Sequence, residues 1–191
     1  MLLTYLNTDA ETAAKRLLGC QLVRNIGKKQ IRARIVETEA YDQLDPASHS
    51  FRGPTKRTEV MFGPAGFSYV YFTYGIHHCL NIVVGPPGHG SAVLIRAVEP
   101  INGLKLIRAN RKNVKTKLEL TNGPGKVCQA LSIGRELNNH DLTKEPLKLV
   151  IKKPIDSSLI AASERIGISK AKEVKWRFYI KDNPFVSNNH K

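Results

Sequence analysis

The chain has 191 residues, 41% of them hydrophobic, which is enough for one core and too apolar for wholesale disorder. Its 30 Lys and Arg against 16 Asp and Glu give a formal net charge of +14, an excess that attracts polyanions such as DNA, RNA or anionic membranes at long range. Cys20, Cys79 and Cys128 form no C-x-x-C pair, which excludes a zinc ribbon or a four-cysteine iron–sulfur cluster, and no apolar run approaches the roughly 20 residues that span a bilayer. The segment Met1–Leu6 is too short for a signal-peptide core and lacks a basic lead, so the expected location is the cytoplasm or the nucleoid, with reduced thiols.

In chain order, Thr8-Asp9-Ala10-Glu11 has the form of a capping box, followed by Ala13, Ala14, Leu17 and Leu18, with Gly19 closing the helix. Two alternating runs, 21–25 and 30–41, joined by Ile26-Gly27-Lys28-Lys29, predict a β-hairpin. Residues 42–66 predict a long loop, broken by Pro46, Gly53, Pro54, Gly63, Pro64 and Gly66, and a loop of that length suggests functional use. Strands are expected over 68–73, 78–84 and 92–98, helices over 103–112 and 125–133, and late strands over 146–152 and 177–180. The expected fold is α/β of the α+β kind: a single compact domain over 1–191 with a curved, mostly antiparallel sheet flanked by helices, and a frayed tail at 188–191.

Strand alternation puts Ile31, Ala33, Ile35, Glu37, Glu39 and Tyr41 on one face. A carboxylate leaving a core at a strand end suits a catalytic base, because partial desolvation tunes it and the strand aims it. Two other readings of the same residues stand beside it. One is an exposed strand end with solvated acids. The other is a Mg²⁺ site for a nuclease built from Glu37, Glu39, Asp42 and Asp45.

Tyr69, Tyr71 and Tyr74 fall within six residues, and Tyr74, just before Gly75, is expected at a hairpin tip. Aromatic rings on a basic protein can stack on an unpaired base or wedge into a duplex, and Tyr69 fits plain core packing better. Lys105, Arg108, Arg111, Lys112, Lys115 and Lys117 form an acid-free basic run, and Arg52, Lys56 and Arg57 add a basic segment inside the long loop. Gly123-Pro124-Gly125-Lys126 lacks the spacing and hydroxyl of a P-loop, and Lys126 at a helix start suits a DNA phosphate.

Several blocks in fixed order carry a specific resemblance: Val36-Glu37-Thr38-Glu39-Ala40-Tyr41, Ala47-Ser48-His49-Ser50, Met61-Phe62-Gly63-Pro64, Tyr69 to Gly75, Leu94 to Pro100, Gly123 to Leu131, and Trp176 to Ile180. Over nearly the whole chain these are similar to the alkyladenine (3-methyladenine) DNA glycosylase family. The resemblance implies a monofunctional hydrolase without metal or cofactor, acting on double-stranded DNA that contains damaged purines, for which a monomer suffices. It implies Glu39 as the general base and Arg96 as a partner holding the attacking water. Tyr41, His49 and Tyr71 become the walls that stack on a flipped base, joined by Ala47 and by Asn81, which discriminates against the amino group of guanine. The Ile166 backbone would help orient the target, and Tyr74 would be the wedge. The DNA contacts would come from Arg52, Thr55, Lys56, Arg57, Met61 and Lys126. Glu37 receives no role. Lys56, Gly125, His77-His78 and a long turn at 85–90 depart from the family pattern. Against this stand a non-catalytic nucleic-acid-binding module and the metal-dependent nuclease, and the order of preference among 3-methyladenine, 7-methylguanine, hypoxanthine and ethenoadenine is not encoded in any motif.

Overall fold

The computed structural model describes residues 2–73 and 75–187, residues 2 and 3 by backbone alone; the expected tail at 188–191 lies outside the described residues. A short helix α1 (Leu2–Leu6) precedes α2 (Ala10–Leu17). The side chain of Asp9, rather than Thr8, caps α2 by accepting from the Thr12 amide at 2.7 Å, one residue later than the capping-box reading. The hairpin follows as β1 (Gln21–Ile26) and β2 (Lys29–Tyr41) around Gly27-Lys28. Then come β3 (Ser68–Thr73), β4 (His77–Val83), β5 (Ala92–Asn102), α3 (Leu104–Asn110), α4 (Pro124–Ala130), β6 (Leu147–Val150), β7 (Ile160–Ser163) and β8 (Arg177–Ile180). Of these, α1 and β7 have no counterpart in the sequence reading: both are four or five residues long, too short for periodicity to register.

The strands form one curled sheet in the order β3-β4-β5-β2-β1-β6, every pairing antiparallel. The thirteen-residue β2 is its spine. One of its edges pairs with β5 throughout, while the other pairs first with β1 and then, at Glu37–Glu39, with β8, which in turn pairs with β7. The helices cover one face. Ala13, Ala14 and Leu17 of α2, Ile107 of α3 and Val127 and Cys128 of α4 pack there on Ile31, Ala33, Ile35, Ile82, Val93 and Ile95, burying the main core.

The opposite face carries two smaller apolar clusters, and a pair of register breaks explains how the site comes to lie there. Ile35 pairs with Val98 and Glu37 with Ala97, leaving Val36 extra on β2; Thr38 then pairs with Ile95, leaving Arg96 extra on β5. These are β-bulges, which re-aim the side chains beyond them. Val36 packs with Ala97 and Phe185 on the far face, whereas Thr38 donates to the Ala14 carbonyl on the helix face and Ala40 joins the main core. The strict alternation expected from Ile31 to Tyr41 is therefore overturned. Ile31, Ala33 and Ile35 face the helices, but Glu37 and Glu39 face away from them.

The loop 42–66 is strapped to the turn between β4 and β5. Asp42 accepts from Ser91 Oγ at 2.8 Å and pairs with His89 Nε2 at 2.8 Å, Gly90 N–H donates to Gln43, and Ser50 Oγ donates to the Gly90 carbonyl at 2.6 Å. A Cβ at Gly90 would lie 2.7 Å from both Phe62 Cζ and Ser50 Cβ. The Gly90→Ala variant is expected to lose about 1–3 kcal/mol through overpacking. Denaturant melts read that loss, and faster amide exchange across 48–50 would accompany it; wild-type stability would show that the strap tolerates the extra methyl.

Candidate active site

On the sheet face away from the helices lies a cavity of about 620 Å³, within the range of about 300–1,000 Å³ usual for ligand sites. Tyr71, Cys79, Asn81, Leu94 and Arg96 form its sheet wall, Ala47, His49 and Met61 come from the long loop, Tyr41 from the end of β2, and Ile166 to Lys170 from the segment after β7. The structure thus brings together all eight of the residues that the sequence suggested for catalysis and base binding, except that Glu39 stands behind the wall rather than on it.

Glu39 is wholly buried. Its Oε1 accepts from the Ile166 backbone amide at 2.7 Å and pairs with Arg96 Nη1 at 3.2 Å; its Oε2 accepts from the Tyr41 hydroxyl at 2.8 Å. All three partners line the cavity. Burial disfavours charge on Arg96, but Glu39 and Glu37 outweigh it and raise its pKa above the ordinary value. Burial, reinforced by Glu39, drives the Tyr41 phenol far above its usual range, so it stays a hydrogen-bond donor.

The aromatic walls are neutral as well. The His49 ring meets Tyr71 edge-on at 4.6 Å between centroids, and its Nδ1 lies 3.1 Å from the Tyr69 hydroxyl. Burial, together with the Arg57 charge, lowers the His49 pKa from 6.5 to about 4. Burial likewise raises the pKa of Tyr71 and the Cys79 thiol. Asn81 is 4% exposed and donates its amide N–H to the Tyr69 carbonyl at 3.1 Å, which fixes its orientation in the wall.

The other expected DNA contacts divide. Arg52, Thr55, Lys56 and Arg57 are exposed on the long loop, and the Arg57 guanidinium lies 5.3 Å from the Tyr71 ring centre. Met61 is buried against Val60 and Tyr69 and faces the cavity. Lys126 is half-buried and bonded to Asn122 at 2.8 Å. Tyr74, the expected wedge, lies outside the described residues. In the basic run, Lys105, Arg108, Lys112, Lys115 and Lys117 are exposed, but Arg111 is spent on Gln129 and the Glu119 carbonyl. Two departures from the family pattern prove to be one feature: a Cβ on Gly125 would lie 2.9 Å from His77 Cγ, so the glycine makes room for the imidazole.

Sequence reasoning passed over Arg165 and Arg177, because their acidic partners Asp45 and Glu37 lie far away along the chain and no local signal joins them. Arg165, 5% exposed, forms a two-pronged pair with Asp45, donates to the Ala40 carbonyl and lies 4.9 Å from the Tyr41 ring centre. It bolts the Ile166 segment to the long loop. Arg177 reaches Glu37 at 2.6 Å. The metal reading of the four acids is overturned by these partners. Glu37 is spent on two arginines, Asp45 on Arg165 and Asp42 on His89 and Ser91, and among the described residues no three His, Cys, Asp or Glu side chains converge.

Comparison with known proteins then decides the class: residues 4–184 match the family model for methylpurine-DNA glycosylase. The chain belongs to the methylpurine-DNA glycosylase family. Its relatives include proteins provisionally named 3-methyladenine DNA glycosylase. The one from Carboxydothermus hydrogenoformans is 48% identical over 180 residues, covering 94% of each chain. The one from Nitrosospira multiformis is 48% identical over 174 residues, 91% of this chain and 86% of the relative. The one from Methanoculleus marisnigri is 46% identical over 188 residues, 96% of each. The protein is accordingly a DNA glycosylase for alkylated bases, and no helix among its described residues is long and apolar enough to cross a membrane.

In this glycosylase the His49 ring should titrate near pH 4 by NMR. Because folding holds it neutral, the unfolded chain gains a proton first: stability is unaffected above about pH 6.5 and falls as pH drops toward about 4. A midpoint near the unperturbed value of 6.5 would refute the neutral wall.

Proposed function

We propose that this glycosylase flips alkylated or deaminated purines out of duplex DNA and hydrolyses the N-glycosidic bond with water activated by Glu39, leaving an abasic site. The observation that carries this reading is the placement of one fully buried carboxylate directly behind an aromatic cavity, held by three residues that line that cavity. A base inside a duplex is out of reach, so extrusion costs a few kcal/mol, about what stacking returns.

In the cavity the purine lies against Tyr41, His49 and Tyr71. Electron-rich phenols and a neutral imidazole favour a cationic alkylated purine over what an imidazolium would allow. Arg96 and the Ile166 amide fix Glu39, which takes a proton from water as the water oxygen bonds to the sugar C1′. The bond from C1′ to the base nitrogen breaks, and its electron pair goes to the departing base. A cationic purine leaves neutral without a proton donor; hypoxanthine needs a proton as it leaves. The negative carboxylate also offsets positive charge building on the sugar.

The test is single-turnover excision from duplexes carrying 3-methyladenine, 7-methylguanine, hypoxanthine or ethenoadenine. Abasic product is expected from at least the alkylated purines, and Glu39→Gln should lower the rate by about 10²–10⁴-fold, the usual contribution of a general base. Unchanged excision by that variant would defeat the proposed chemistry. Product formed at full rate in excess chelator would dispose of a metal-dependent step, whereas salt-sensitive binding with no abasic product from any lesion would favour a non-catalytic binding module.

A further inference from the structure

Glu37 has no role in the chemistry above, yet it is the most heavily bonded carboxylate in the described structure. It is wholly buried. Its Oε1 accepts from Arg96 Nε at 3.0 Å, Arg177 Nε at 2.6 Å and Ser187 Oγ at 2.7 Å; its Oε2 accepts from the Ser187 amide at 2.7 Å. Those donors come from β5, β8 and the segment after β8, so a single side chain gathers three separate parts of the fold. Arg177 is held in turn by Ser163 Oγ at 3.0 Å and the Ser187 carbonyl at 3.1 Å.

The geometry at Arg96 gives this cluster a consequence. Arg96 turns its Nε to Glu37 and its Nη1 to Glu39. One guanidinium therefore spans two buried acids, and its orientation toward Glu39 is set from behind by Glu37. The guanidinium is planar, so a bond at Nε fixes where Nη1 points. The β-bulges at Val36 and Arg96 bring this about, since they place Glu37 on the same face as Glu39 with Arg96 opposite both.

We propose that Glu37 is a positioning residue for the reaction: held by Arg177 and Ser187, it fixes Arg96 against Glu39 so that the two face the cavity in one arrangement. The proposal rests on Glu39 acting as the base. Glu37 also competes with Glu39 for Arg96 and repels it as a like charge. Replacing Glu37 by a neutral isostere removes that repulsion and leaves Arg96 to pair with Glu39 alone, and both changes stabilise the Glu39 carboxylate and weaken it as a base. The other groups facing this pair are Tyr41 and Tyr71, the Cys79 thiol and, on the Glu37 side, Arg177.

The experiment measures kcat, KM and the pH dependence of kcat for Glu37→Gln, Glu37→Asp and Glu39→Gln on one alkylated duplex. Glu37→Gln is expected to lose about 10–100-fold in kcat, since a misplacement on the order of 1 Å can cost about 10²-fold. KM stays unchanged, and the acidic limb of the profile moves to lower pH. Glu37→Asp, which keeps the charge, should hold that limb at the wild-type position. A structural role alone would scale activity with the folded fraction and leave the limb in place, and that result overturns the proposal. If Glu37→Gln does not fold, Ser187→Ala decides instead, with kcat expressed per folded molecule: a lower kcat at unchanged KM supports the proposal, and a wild-type kcat overturns it. An active Glu39→Gln variant would sink the base assignment itself. An inactive Glu39→Gln beside a wild-type Glu37→Gln would sink only the role of Glu37.

Discussion

Arg96 shares its guanidinium between two carboxylates buried from bulk solvent, and the working face of the molecule is organised around that bond. Isolated, either acid would be too costly to bury charged. Together with Arg177 the cluster holds two acids and two guanidiniums, with Ser187 and Ile166 amides and the Tyr41 hydroxyl filling the remaining acceptor sites. Breaking such a buried pair by removing one partner typically costs about 3–5 kcal/mol, so the cluster is maintained as a unit. Its members come from β2, β5, β8, the segment after β7 and the stretch following β8, which makes the pocket floor depend on the whole sheet closing.

Around that floor the cavity is assembled from parts with little regular structure of their own. The long loop contributes His49, Ala47 and Met61, and it is held by the Gly90 strap at Gln43 and Ser50 and, between them, by Asp45 on Arg165. The segment that carries Ile166 is held by the same arginine. A loop that must present side chains with angstrom accuracy thus gains its rigidity from buried polar bonds instead of from helix or strand ladders. The walls so built are electrically quiet: phenols kept protonated and an imidazole kept neutral stand in front of the buried Glu39 and Arg96 pair. The exposed cations sit outside them, on the loop at 52–57 and on and beyond α3. Long-range attraction to a polyanion and local chemistry are in this way separated in space.

Much of this could be read along the chain. The hairpin of β1 and β2, strand β3 at 68–73 and strand β8 at 177–180 follow from alternation and turn residues, because those signals are local. The ordered blocks around Glu39, His49, Tyr71, Asn81 and Arg96 name residues that the fold brings to one cavity or directly behind it. The phase of β2 was not legible. A bulge depends on which residue of a partner strand lies opposite, and neither Val36 nor Arg96 marks itself as the extra one. Alternation therefore put Glu37 and Glu39 on the face of Ile31 and Ile35, where a carboxylate would have met the helices.

The sequence by itself determined the class of the protein, its positive charge and the residue types that meet at the cavity, since those depend on composition and on the order of motifs. Only the tertiary structure decided how the acids differ. On the chain Glu37, Glu39, Asp42 and Asp45 look like one cluster within nine positions. In the fold Glu37 and Glu39 share Arg96, Glu37 adds Arg177 and Ser187, Glu39 adds the Ile166 amide, Asp42 takes His89 and Asp45 takes Arg165, because charges leaving water need partners and these partners arrive from residues 89 to 187. Long-range pairing, not local spacing, leaves Glu39 behind the cavity wall and Glu37 locked behind Arg96.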